Sequence, residues 1–194
     1  MSGFVYPDEV AGPYEAPPCV FEDRNGREIR VERYDDEFEA VVEMYTAFDP
    51  ADRAQGIPPV KDEAIRNWLE AILADECVNV LAWDGDSVVG HATLVPDGDE
   101  AYELAIFVLS DYQDAGIGTG LIEALLGAGY EAGIDRVWLT VERWNNPAVA
   151  LYRKVGFEAG DAGSFELEMT AALTEAGTGA GDTETDLGID DSDR

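Results

Sequence analysis

One segment, residues 102–141, constrains the fold most, because a strand, a turn, a helix and a second strand follow one another within it. Tyr102 to Leu109 is a strand pattern, and residues 117–132 repeat apolar side chains at the three- and four-residue spacing of a helix. Val137 to Val141 is the next strand pattern. A helix that links two strands of one sheet normally makes a right-handed crossover, so we expect these strands to be parallel.

Periodicity predicts further elements on both sides of this segment. Strand patterns alternate polar and apolar side chains, whereas helical patterns repeat apolar ones every three or four residues. Asp35 or Asp36 is expected to cap the first helix, and Asp84-Gly85-Asp86 to form a hairpin turn that glycine suits. The predicted strands are 28–34, 78–83, 88–95 and 165–170, and the predicted helices are 38–48, 62–75 and 147–154.

Length and charge restrict the class of protein. A chain of 194 residues with 46% apolar residues is long enough for one domain. We expect an N-terminal arm over 1–26, a folded domain over 27–171 and an acidic disordered tail over 172–194. No apolar run approaches the ~20 residues of a membrane span, and the N-terminus does not resemble a secretion signal. A cytoplasmic protein is therefore expected.

The acid excess argues against a nucleic-acid partner. The chain has 42 acidic and 12 basic residues, a net charge of -30, and such a charge repels phosphate backbones. It does not exclude a local basic pocket for a phosphate. Acidity this widespread, with only two lysines, resembles the proteins of salt-in halophiles. The two cysteines, Cys19 and Cys77, have no metal-like spacing, so no metal site is expected.

The turn between the first parallel strand and its helix carries the motif Gln113-x-x-Gly116-x-Gly118. Its glycines let a ligand approach the backbone, and the amides at a helix N-terminus favour an anion. Taken alone the turn is weak evidence, since glycine is often needed merely to bend the chain. It differs in spacing from the dinucleotide motif GxGxxG and lacks the Gly-Lys-Ser/Thr of a phosphate-binding P-loop.

A second motif follows about thirty residues downstream, Asn145-x-x-Ala148-x-x-Leu151-Tyr152-x-x-x-Gly156-Phe157. With both motifs in this order and at this separation, the chain resembles the GNAT N-acetyltransferase superfamily over roughly residues 28–170. The resemblance implies an α/β (α+β) fold with one mixed, mostly antiparallel sheet of about six to seven strands, flanked by helices. It also implies that strands 102–109 and 137–141 splay apart to admit acetyl-CoA.

The same resemblance assigns cofactor-binding residues. The pyrophosphate would lie on the amides of the turn, and the pantetheine arm on the backbone of the preceding strand. Asn145 could bond the cofactor, although a helix cap before Pro147 is an equal expectation. Ser110 stands where the family more usually has proline. The turn residues are Gln113, Asp114, Ala115, Gly116, Ile117, Gly118 and Thr119, and the strand residues are Ile106, Phe107 and Val108.

The implied reaction is attack of a neutral amine on the acetyl thioester, so a base must first remove a proton. Glu103, on the strand lining the cleft, is the hypothesis for that base; a solvated carboxylate is the alternative. Tyr152 would protonate the departing thiolate, with a packing role as the alternative. His91, the only histidine, is more readily explained as a buried structural residue.

The sequence leaves three questions open. A non-catalytic acyl-CoA-binding regulatory module is the alternative to an enzyme, and retention of Tyr152 favours the enzyme. The acceptor amine can belong to a protein or to a small molecule. The loop from Arg53 to Pro59 lies in a region that shapes the acceptor site in this superfamily, and a plain rigid linker is the alternative. Relatives occur as monomers and as homodimers.

Overall fold

The computed structural model describes residues 4–53, 57–160 and 165–175. Its centre is a single sheet, and among these residues every pair of neighbouring strands is antiparallel except one. The spatial order is β1-β2-β3-β4-β5-β6-β8-β7. The strands are β1 Cys19–Glu22, β2 Glu28–Arg33, β3 Val78–Asp84, β4 Ser87–Pro96, β5 Tyr102–Val108, β6 Arg136–Glu142, β7 Glu158–Ala159 and β8 Glu166–Ala172.

Helices cover both faces of this sheet. On one face α1 and α2 pack through a cluster that includes Tyr45 and Leu69, and on the other face α3 packs through Leu121 and Leu125. Helices α1 and α2 each bury one apolar side, as their periodicity predicts. Helix α3 is instead buried on nearly all sides between Leu121 and Gly129. The helices are α1 Phe38–Thr46, α2 Asp62–Ile72, α3 Ile117–Glu131 and α4 Asn146–Lys154, with single turns of 3-10 helix at Pro50–Asp52 and Ser110–Tyr112.

The eight strands of the described residues exceed the six to seven expected. The sequence gives no sign of β1, which has four residues directly after two prolines, or of β7, which has two. The predicted cap of α1 is also wrong. Glu37 occupies the cap position, and its carboxylate accepts hydrogen bonds from the backbone N–H groups of Asp35 and Asp36, at 2.9 and 3.1 Å.

The N-terminal segment packs on the body of the protein. Glycines of α3 leave room for it, because a Cβ atom at Gly120 would lie 2.5 Å from the Phe21 ring and one at Gly127 would lie 2.6 Å from the Glu15 carbonyl group. The backbone N–H of Ala11 donates to the carbonyl oxygen of Ala172 at 2.8 Å. Part of the expected arm, residues 11–22, is thus packed against α3 and β8.

The structure covers the expected C-terminal tail only in part. Residues 176–194 of the expected tail lie outside the described residues, and β8 continues to Ala172, where that tail was expected to begin. The limits of the three segments remain a prediction. Of the helices in the described ranges, none has the length and apolar character needed to cross a membrane.

Candidate active site

A cleft opens in the sheet where β5 and β6 part. These are the two parallel strands, and they pair only at their beginnings, Tyr102 with Val137 and Glu103 with Trp138. Beyond that point they diverge and leave a cavity of about 670 Å³ between β5, the start of α3, β6 and α4. The predicted parallel pair and its splaying are both present. The cavity is within the size range of ligand sites.

The glycine-rich turn forms one wall of this cleft. Asp114 has φ 55° and Gly116 has φ 93°, so the chain passes through the left-handed region before α3 begins. The first hydrogen bond of α3 runs from the N–H of Gly120 to the carbonyl of Gly116. The N–H groups of Ile117, Gly118 and Thr119 therefore have no partner within the helix, and the helix dipole adds positive potential there. This wall suits an anion.

Side chains of the turn divide between the cleft and the core. Ala115 and Ile117 are buried, at 2% and 1% exposure, so only their backbone groups are available to a ligand. Gln113, Asp114 and Gly116 line the cleft, as do Gly118 and Thr119. The turn thus presents its backbone at every one of these positions and adds the side chains of Gln113, Asp114 and Thr119.

The second wall is β5 itself. Antiparallel pairing with β4 occupies one edge of β5 along its whole length, whereas its other edge loses β6 after Glu103. Half of the backbone groups of Ile106, Phe107 and Val108 therefore point toward the cleft. These three residues line the cavity, so an extended ligand arm could pair with them as an added strand would.

Two predicted cofactor residues make other contacts. The Oδ1 atom of Asn145 accepts a hydrogen bond from the N–H of Ala148 at 3.3 Å, so Asn145 caps α4 while it borders the cleft. Nε2 of Gln113 donates to Oδ2 of Asp52 at 2.9 Å and to the carbonyl oxygen of Val108 at 3.1 Å. The side chain of Gln113 holds the turn in place.

Asp52, which sequence reasoning missed, connects the two sides of the cleft. It lies on the connection between α1 and α2 and also accepts a hydrogen bond from Oγ of Ser110 at 2.7 Å. Ser110 is the position at which proline is usual in the family, and here its hydroxyl joins the connection to the turn. Serine at this position, in place of proline, was the signal in the sequence that could have pointed to the contact with Asp52. Residues 54–56 of the same connection lie outside the described residues.

Glu103 lies at the inner end of the cleft, where β5 and β6 separate. Partial burial raises the pKa of its carboxyl group above the ordinary value, and the negative charge of Asp97 raises it further. A carboxylate with a raised pKa accepts a proton more readily, which suits a general base. Glu103 keeps enough exposed surface to be reached from the cavity, which it helps to line.

Tyr152 borders the cleft from α4. Its ring packs edge-on against Phe157, with 5.9 Å between the centroids. Burial raises the pKa of its hydroxyl group to about 12, because the phenolate would lose hydration. The hydroxyl therefore stays protonated at neutral pH. The cleft thus brings Glu103 and Tyr152, the two predicted catalytic residues, into one cavity.

His91 lies outside the cleft and is fully buried. Nδ2 of Asn79 donates to the carbonyl of Ile72 at 2.9 Å, which turns its Oδ1 toward Nε2 of His91 at 2.8 Å. Nε2 therefore carries the proton, and Nδ1 accepts from the hydroxyl of Tyr45 at 2.7 Å. Burial lowers the pKa of His91 to about 3, so the ring is neutral and structural, as expected.

Comparison with known proteins decides the family. The sequence model of the acetyltransferase (GNAT) family matches residues 38–157, more than half of the chain. The chain belongs to the GNAT family. A mycothiol acetyltransferase of Corynebacterium efficiens is 38% identical over 76 residues, which cover 39% of this chain and 26% of that protein. The [ribosomal protein bS18]-alanine N-acetyltransferase of Escherichia coli K12 is 41% identical over 59 residues, 30% of this chain and 40% of that enzyme.

Solved GNAT structures show the same fold. The GNAT domain of S. lividans PAT has a TM-score of 0.68 at 17% identity, covering 80% of this chain and 96% of that domain. Salmonella typhimurium yncA, solved with its cofactor acetyl-CoA, has a TM-score of 0.62 at 18% identity and covers 77% and 96%. GNAT acetyltransferases use acetyl-CoA. The matched segments span less than half of the length of each curated relative named above.

Proposed function

We propose that this GNAT protein is an acetyl-CoA-dependent N-acetyltransferase that transfers the acetyl group directly to a primary amine. The observation that carries the proposal is the splayed cleft between β5 and β6, with a helix N-terminus on one wall and Tyr152 on another. Both curated relatives named above are acetyltransferases, which supports the same chemistry here.

The cofactor would lie along two backbone surfaces. The amides from Gln113 to Thr119 would take the pyrophosphate, since unpaired helix N–H groups bind anions well. The free edge of β5 at Ile106, Phe107 and Val108 would hold the pantetheine arm by strand-like hydrogen bonds. This path ends near the point where β6 leaves β5, beside Glu103, so the thioester would lie at the inner end of the cleft.

Three proton transfers accompany the acyl transfer. An alkylammonium has a pKa of about 10.4 in water, so the acceptor must lose a proton before it can attack. Glu103, directly or through a water, would take that proton, and the neutral amine nitrogen would then bond to the acetyl carbon. As the carbon–sulfur bond breaks, the hydroxyl of Tyr152 would give its proton to the thiolate of CoA, and the second proton lost by the amine nitrogen would restore the hydroxyl.

The rival proposal is a regulatory module that binds acyl-CoA without transferring the acyl group. The presence of Glu103 and Tyr152 in one cavity favours the enzyme, because neither side chain is needed for binding alone. The acceptor class stays open between a protein amine and a small molecule. The halophilic character, a cytoplasmic location and a monomeric or homodimeric state remain predictions from the sequence.

Thiol release from acetyl-CoA tests the proposal against its rival. The purified chain would be assayed in molar KCl with peptides that carry a free N-terminus, with lysine-containing peptides and with small amines. Release that depends on an amine, together with the acetylated product by mass spectrometry, is the expected result. Tight acetyl-CoA binding without release across the panel would favour the regulatory module instead.

A further inference from the structure

The hairpin between β1 and β2 reaches the phosphate-binding turn. Its residue Arg24 donates a backbone hydrogen bond to the carbonyl of Ala115 at 3.0 Å, and Nη1 of Arg24 donates to the carbonyl of Asp114 at 3.2 Å. Arg24 also lines the cleft. A guanidinium group is therefore held beside the turn by a segment that lies 90 residues earlier in the chain.

Hydrogen bonds of the Asp23 side chain hold the backbone of the hairpin next to Arg24. Asp23 is buried, and its carboxylate accepts hydrogen bonds from the backbone N–H groups of Asn25 and Arg27 and from Nε of Arg27, at 2.8, 2.9 and 2.7 Å. Arg27 in turn lies over the ring of Tyr112, 4.1 Å from its centroid. The hairpin thus docks on the turn at two places, so the backbone of Arg24 is fixed relative to the turn.

The charge of Arg24 is not neutralised by a neighbouring carboxylate. Among the described residues Arg24 makes no ion pair, whereas Arg27, Arg30, Arg33 and Arg66 each make at least one. Its bond to Asp114 uses one of five guanidinium N–H donors. In a chain with 42 acidic and 12 basic residues, Arg24 and Lys154 are the two basic residues among those described that line the cleft.

Most of the other charges in the cleft are negative and would oppose a phosphate ligand. Asp52, Asp114, Glu103 and Glu142 all line it, against one further cation, Lys154. CoA brings a pyrophosphate and a further phosphate group, so binding requires compensating positive charge besides the backbone amides. Arginine matches the geometry of a phosphate with paired donors and keeps its charge at every relevant pH.

We propose that Arg24 is a cofactor-binding residue whose guanidinium group binds a phosphate of acetyl-CoA. The proposal rests on the proposed function, and it assigns part of the cofactor site to the hairpin that precedes the region matched by the family model. The four remaining N–H donors of Arg24 supply charge-assisted hydrogen bonds, and its single bond to the turn keeps the group in place.

Calorimetric titration with CoA tests this assignment on three variants. Arg24→Gln keeps a donor for the turn but removes the charge, and we expect its dissociation constant to rise about tenfold, as the loss of a charge-assisted hydrogen bond predicts. Arg24→Lys keeps the charge and should recover most of the affinity. Arg30→Gln is the matched control, because Arg30 lies on β2 with bonds to Glu32 and Gly85 and does not line the cleft.

The salt dependence of binding supplies a readout that a purely structural role would not change. The wild-type dissociation constant should increase more steeply with KCl concentration than that of Arg24→Gln, because fewer ions are exchanged when one phosphate contact is lost. Equal affinity of Arg24→Gln and wild type would overturn the proposal, as would an Arg24→Lys variant as weak as Arg24→Gln. If the wild type itself fails to bind CoA, the proposed function fails first.

Discussion

Replacing Tyr152 by phenylalanine removes a single hydroxyl group from the wall of the cleft. The aromatic ring remains, and with it the edge-on contact to Phe157, so the fold and the shape of the cavity should be kept. Because burial raises the pKa of the hydroxyl to about 12, roughly one molecule in a thousand is ionised at pH 9. In the wild type the group is therefore a proton donor throughout the working range.

The size and the pH dependence of the effect follow from this state. Loss of a positioned general acid typically lowers the rate by about 10²- to 10⁴-fold. We expect kcat of Tyr152→Phe to fall by about 10²-fold while KM for acetyl-CoA changes little. The fall should be the same from pH 6 to pH 10, because the hydroxyl does not titrate in that interval.

The assay is steady-state thiol release at several pH values with one accepted amine. Tyr130→Phe is the matched control, because Tyr130 lies on α3, is 60% exposed and does not border the cleft. Wild-type kcat in Tyr152→Phe at every pH would refute the general-acid role. A loss that disappears above pH 9 would show instead that the hydroxyl ionises much more easily than its burial implies.

Three further predictions concern the base, the buried histidine and the packing of the N-terminal segment. Glu103→Gln should lower kcat/KM by about 10²-fold and abolish the acid limb of the pH–rate profile. In the wild type this limb should lie above the ordinary carboxyl pKa of 4.5, because burial and then the charge of Asp97 raise the pKa of Glu103. An acid limb that is unchanged in Glu103→Gln would assign the titration to another group. His91 has a pKa of about 3 in the folded protein and an ordinary value of 6.5 in the unfolded chain. Between pH 3 and pH 6.5 the unfolded state therefore binds more protons, and the stability of the fold decreases as the pH falls below 6.5. Urea unfolding should show a loss of up to about 1.4 kcal/mol per pH unit that is missing in His91→Gln, and equal slopes would contradict this. Gly127→Ala should lower the free energy of unfolding by about 1 kcal/mol, because the backbone clash with Glu15 outweighs the helix propensity gained. Gly129→Ala is its control, since the added Cβ would meet only the ends of side chains, those of Leu94, Leu173 and Ile134, and no backbone. Equal stability of both variants would argue against the packed segment.

Local patterns in the sequence predicted the turn and the helices that surround the cleft. The turn before α3, the helix itself and the cap at Asn145 each depend on residues within one or two turns of chain, so spacing reveals them. Both motifs are short and continuous for the same reason. The splaying of β5 from β6 followed from the family resemblance, and the pairing confirms it.

Contacts between distant segments escaped prediction. Asp52 reaches Ser110 and Gln113 across 58 and 61 residues, and Arg24 reaches Asp114 across 90. No periodicity links such positions, because each depends on how the elements pack in three dimensions. Strand β1 was missed for a related reason. Its four residues become a strand through pairing with β2 rather than through their own pattern.

The position of CoA in a crystal of the complex tests the central claim most directly. We predict the pyrophosphate on the amides of residues 113–119, the pantetheine arm along Ile106 to Val108 and the sulfur within hydrogen-bonding reach of the Tyr152 hydroxyl, about 3.5 Å. CoA bound elsewhere would contradict the account. The plainest such result would be CoA in the second cavity, of about 650 Å³, which Tyr6, Tyr102 and Arg136 help to line.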